Sequence, residues 1–125
     1  MSAPRPAENG PATVALEALV TELASCIQQL QHAHERAQVL LDQRRDGHSW
    51  QDIVVVESRP LIVESISSVL ATLTSAGHVF RREQARALNH EDVSINRIAA
   101  LFGVTRQRIS ALIRDPGSGD AAPGS

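Results

Sequence analysis

The chain has no lysine and no tyrosine, and its 125 residues include only two phenylalanines, one tryptophan and one cysteine. A single cysteine excludes an internal disulfide, and nothing in the pattern points to secretion. The scarcity of aromatics leaves Leu, Ile, Val and Ala to build a core. That composition suits helix packing better than a sandwich or barrel, whose strands favour aromatic and β-branched residues. No run of about 18 apolar residues exists to span a bilayer, so no membrane partner is expected. The N-terminus lacks a charged start followed by an apolar stretch, and the cytoplasm is the expected compartment.

All twelve basic residues are arginines. With the many Ala, Gly and Val, this fits a GC-rich coding sequence and a bacterial source. The net charge of −2 hides an asymmetry. Ser94 to Arg114 holds Arg97, Arg106, Arg108 and Arg114 and no acid. Ala12 to Gly77 holds eight acids against four arginines. One end tolerates a polyanion and the rest does not.

Met1–Pro11 and the segment from Asp115 onward are rich in Pro, Gly, Ala and Ser and can bury almost nothing. Residues 1–11 and 116–125 are therefore expected to be disordered tails. Thr13 to Arg45 has no Gly or Pro and reads as one long helix. Leu16, Leu23, Leu30 and Ala37 recur every seven residues, as do Leu19, Cys26, Ala33 and Leu40, and Val20, Ile27 and Leu41 widen the stripe. A stripe of that width can close a coiled coil or pack in a bundle. Asp46-Gly47 ends the helix, with Arg44 and Arg45 facing its negative pole.

Ser49 reads as the N-cap of a short helix through the β-branched run Ile53 to Val56, since no second strand candidate exists to pair with that run. Leu61 to Ala76 reads as the next helix, with Gly77 as its C-terminal cap. Three short helices then follow, about Arg81 to Asn89, Ile95 to Phe102 and Arg106 to Arg114. The expected fold is all-α. Residues 12–77 are expected to form a helical dimerisation and sensing region with Leu16, Leu19, Leu23, Ile27 and Leu30 as its dimer contacts. Residues 78–115 form a three-helix domain.

The stretch from Ile95, INRIAALFGVTRQRISALIR, carries a helix-turn-helix pattern. Its fifth residue must be small where two helices cross, and Ala99 stands there. Its ninth needs a positive φ, which Gly103 adopts without a Cβ clash. The apolar positions that hold the two helices together are Ile98, Phe102, Val104, Ile109 and Leu112. Thr105 can cap the second helix. Arg81 to Arg114, and GVTRQRIS in particular, resembles the three-helix DNA-binding domain of bacterial regulators and of resolvase/invertase recombinases. The resemblance covers about thirty-five residues, and no recombinase catalytic segment precedes it.

The resemblance implies that residues 106–114 lie in the major groove of double-stranded DNA and that the preceding helix crosses the backbone. Ile109, Leu112 and Ile113 would face inward. Arg106, Gln107, Ser110 and Arg114, with Ala111 beside them, would face the bases. Arg97, Thr105 and Arg108 are placed for phosphates. The expected function is a sequence-specific transcriptional regulator acting as a homodimer on the bacterial nucleoid. The alternative is an adaptor that binds a sigma factor or another regulator through its acidic N-terminal helices.

No catalytic constellation, Gly-rich phosphate loop or cofactor signature is present, so no enzyme is expected. The five histidines offer no metal spacing: His32 and His34 point to different sides of a helix. Cys26 lies on the apolar stripe as a small buried residue. Leu40 to Ile53 faintly resembles the start of another helix-turn-helix but lacks its glycine turn and basic third helix. Trp50 is read as an anchor for helix packing. No residue pattern names an effector, whether small molecule or protein.

Overall fold

The computed structural model describes residues 10–57 and 59–115. Five helices account for nearly all of them: α1 (Pro11–Arg45), α2 (Trp50–Val56), α3 (Ile62–His90), α4 (Ile95–Phe102) and α5 (Arg106–Arg114). No strand occurs among the described residues, and the all-α expectation holds. Of the expected tails, residues 1–9 and 116–125 lie outside the described residues. Pro11, placed in the N-terminal tail by composition, opens α1 instead, where its missing N–H costs nothing. No helix among the described residues is long and apolar enough to cross a membrane.

Helix α1 stops where the sequence places its stop. Gly47 takes φ +99° and its N–H donates to Arg44 O at 3.1 Å, while His48 N–H reaches Gln43 O at 3.1 Å. These two bonds satisfy carbonyls that the helix end would leave open. Ser49 caps α2, its hydroxyl accepting from Asp52 N–H at 3.1 Å. The β-branched run Ile53–Val56 is helical, with Ile53 buried and the three valines exposed.

The stretch from Ile62 to His90 departs from the sequence reading. A single 29-residue helix replaces the expected pair, and Gly77 lies within it rather than capping it. A glycine inside a helix costs only about 1 kcal/mol relative to alanine, which the side-chain packing of α3 offsets. Glu57 and Glu64 accept from the N–H groups of Ile62 (2.8 Å) and Leu61 (3.0 Å) and satisfy its first turn. Arg36 on α1 ties this junction down, donating to Pro60 O at 2.9 Å and lying 3.6 Å from Glu57 Oε2.

The chain divides into two compact units. One is Thr21–Thr74; the other joins Met1–Val20 to Ser75–Ser125. In Thr21–Thr74 the buried apolar residues are Cys26, Ala33, Ile53 and Val69. Cys26 is a free, buried thiol whose Sγ lies 3.9 Å from Val69 O, as a small packed residue should be. Trp50 is not the packing anchor expected: it is 58% exposed, with the Arg44 guanidinium 5.1 Å from its ring centroid. In the other unit the buried apolar residues are Ala15 and a cluster of Ala85, Ile98, Ala99 and Ile109.

Along α1 the apolar stripe separates into two rows. Leu19, Cys26, Ala33 and Leu40 form the inward row, with Cys26 and Ala33 buried and the leucines half-buried. Leu16, Val20, Leu23, Ile27, Leu30 and Leu41 form an outward row and are exposed. Leu19, grouped with Leu16 and Leu23 as a dimer contact by sequence, is half-buried where they are exposed.

Candidate nucleic-acid interface

The site is built on the α4–turn–α5 segment. Ser94 caps α4, its hydroxyl accepting from Arg97 N–H at 3.1 Å. At the other end Gly103 adopts φ +71°, ψ 32°, the left-handed conformation that L side chains rarely reach. Its N–H reaches Ala100 O at 3.3 Å, and Val104 N–H reaches Ala99 O at 3.0 Å. Thr105 then caps α5, its hydroxyl accepting from Arg108 N–H at 3.1 Å. Gly103 and the Thr105 cap thus define the three-residue turn between two short helices.

Packing completes the local structure. Ile98 and Ile109 are fully buried and Ala99 is nearly so. Phe102, Leu112 and Ile113 pack half-buried around them, with Leu88, Val93 and Ile95. Ala85 of α3, fully buried in the same cluster, supplies the third wall. A small residue lets α3 approach closely here, and single-helix periodicity gave no reason to select Ala85 over its neighbours. Val104 differs from the expectation. It is 39% exposed and lines a cleft of about 210 Å³ with Arg81, Phe102, Ile109 and Leu112.

A turn joins α3 to α4 and was not singled out by sequence. Asp92 takes φ +68°, Val93 N–H donates to Leu88 O at 3.0 Å, and Asn89 Nδ2 donates to Val93 O at 3.2 Å. Aspartate is one of the few side chains that tolerate the left-handed region.

Helix α5 is held at its far end by cations of α3. Arg86 donates from Nε to Ile113 O at 2.9 Å and from a terminal nitrogen to Asp115 O, and its other terminal nitrogen lies 3.0 Å from Glu83 Oε2. Arg82 is only 6% exposed and pairs with Glu83 at 3.2 Å. His78 Nε2 lies 3.2 Å from Asp115 Oδ2. Positive charge at the C-terminal carbonyls of α5 suits the helix dipole. Asp115, read from composition as the edge of a tail, is thus a structural residue. The cause is tertiary: its partners lie some thirty residues away.

Most of the predicted contact residues are exposed. Arg97, Thr105, Arg106, Gln107, Arg108, Ala111 and Arg114 are all exposed. Ser110 is half-buried, a departure from its expected outward position. It lies three residues before half-buried Ile113 and shares that edge of the helix. None of Arg97, Arg106, Arg108 or Arg114 makes an ion pair among the described residues. Arg81 is exposed with them, although sequence reasoning passed it over. Its guanidinium stands 4.3 Å from the Phe102 ring centroid, and it lines a cleft of about 500 Å³ with Thr105, Gln107, Arg108 and Ala111. The doublet Arg81-Arg82 was the available signal, with the exposed member separated from the buried one by the helical turn.

Comparison of the chain with known protein families, with curated proteins and with solved structures returned no match.

Proposed function

We propose that the chain is a sequence-specific DNA-binding regulator that acts as a homodimer, with α4–turn–α5 as a helix-turn-helix and α5 as its recognition helix. The observation that supports this most is the combination, in one 21-residue segment, of a capped turn and four exposed arginines with no acid in the segment. Arginines left without acids are what a phosphate backbone neutralises.

In this reading Arg106, Gln107, Ala111 and Arg114 meet base edges, with Ser110 contributing from the side of the helix. Arg pairs bidentately with guanine and Gln with adenine. Arg97, Thr105 and Arg108 hold phosphates, which set the register of the helix without reading sequence. Arg81 joins this second group. One recognition helix reads only a few base pairs, so two copies on half-sites about 34 Å apart, or a multiple of that, provide useful specificity. The outward row of α1 is the surface available for pairing the copies.

The test is selection of bound duplexes from random or genomic DNA by the full chain. Enrichment of one palindromic motif supports the proposal. Absence of enrichment, with no retention on heparin at low salt, removes it.

A further inference from the structure

The unit Thr21–Thr74 has more apolar surface than its own fold covers. Its buried apolar residues are Cys26, Ala33, Ile53 and Val69, while Leu40, Leu61, Ile62, Ile66 and Leu73 are half-buried. Eleven large apolar side chains of the same unit are exposed, from Leu30 at 39% to Val55 at 73%. Units of fewer than about 60 residues are marginal even with a full core. Buried aliphatic side chains stabilise such units, and here most of them face outward.

The exposed residues on α1 are ordered. Leu23, Ile27 and Leu30 follow one another at intervals of four and three, and Leu41 lies eleven residues further on the same row. That is the spacing of a two-helix seam. From Leu23 to His34 the helix carries no Asp, Glu or Arg. Exposed helix faces usually carry charge, whereas the centre of an interface is depleted of it.

We infer that Thr21–Thr74 completes its core against the same unit of a second copy, along the α1 row centred on Leu23, Ile27 and Leu30, so that folding of this unit is coupled to dimerisation. Charge selects this occupant. Two identical uncharged faces meet across a twofold axis without like-charge repulsion. A charged peptide finds no counter-charge along the row. An anionic lipid surface meets a unit with seven acids against four arginines.

This inference rests on the homodimer part of the proposed function and not on its DNA contacts. The test is therefore made on the full chain without DNA. Light scattering at micromolar concentration is expected to give twice the 13.5 kDa chain mass. Helicity should be lost on heating at a midpoint that rises as concentration increases a hundredfold, because a partner subunit stabilises by mass action. I27Q is expected to weaken the dimer at least tenfold, with helicity recovered at high protein concentration. A monomer with a concentration-independent midpoint overturns the inference, and so does an I27Q dimer of unchanged affinity. A monomeric chain that still selects a DNA motif would overturn the inference and the homodimer part of the proposed function while leaving the DNA contacts standing; a dimer that selects none would overturn only the DNA contacts.

Discussion

The guanidinium of Arg81 lies over the ring of Phe102, 4.3 Å from its centroid, at the edge of the surface that carries Arg108. Phe102 thereby links the core of the α4–α5 segment to its charged exterior: one side of the ring packs on the buried cluster and the guanidinium stands over it. Arg81 is held in one orientation without being neutralised by an acid. R81A is expected to weaken DNA binding by a similar factor for all sequences and to lower the salt slope of log K by about 1, the signature of one lost phosphate contact. Titrations of a specific and a scrambled duplex at several salt concentrations measure both effects.

Arg106 and Arg108 are two residues apart and predict opposite outcomes. R106A is expected to relax preference at one base position, at a cost of about 1–3 kcal/mol on the preferred sequence and little on others. R108A is expected to weaken all sequences alike. Competition assays against single-base variants of the selected site separate the two.

Gly103 has open space where a Cβ would project, yet its φ is +71°. G103A should therefore cost only the backbone term, about 1–2 kcal/mol, and G103N less, since asparagine visits this region more readily. Urea denaturation with helicity as the readout orders the three proteins. A larger loss in G103A than in a core truncation such as I109A, expected to cost about 2–5 kcal/mol, would contradict the assignment.

Much of this segment was legible in the sequence because its determinants are local. Gly103, Thr105, Ser49 and Gly47 each act within a few residues, through a positive φ or a cap, and their residue types announce those roles. Gly77 shows the limit of the same reasoning, since a glycine marks a helix end only when tertiary packing does not carry the helix through it. Ala85, Arg86 and Asp115 were illegible for another reason: each acts on partners in a distant part of the chain, and neither an alanine in a helix nor an aspartate before Pro-Gly signals that. The α1 stripe lies between these cases. Its period was evident, but its division into an inward row with Leu19 and an outward row with Leu23 depends on which face α1 turns to the rest of the chain.

Arg86 provides a test of the clamp on α5. R86M keeps much of the side-chain volume and removes the bonds to Ile113 and Asp115 carbonyls and to Glu83. Amide exchange at the last turn of α5 is expected to rise at least tenfold while the amides around Ile98 stay protected. Affinity for DNA should fall because the end of α5 carrying Arg114 is no longer held. Unchanged exchange in R86M would remove the clamp from the account.

Base reading by α5 is the step on which sequence-specific binding depends. Fluorescence anisotropy of the full chain with its selected duplex and with a scrambled one, compared with the R106A/R114A double variant, addresses this in one measurement. The parent chain is expected to prefer the selected duplex by at least a hundredfold, falling to less than tenfold in the double variant, with both proteins equally helical and both affinities dropping steeply with salt. Equal preference in parent and double variant, or binding insensitive to salt, would contradict it.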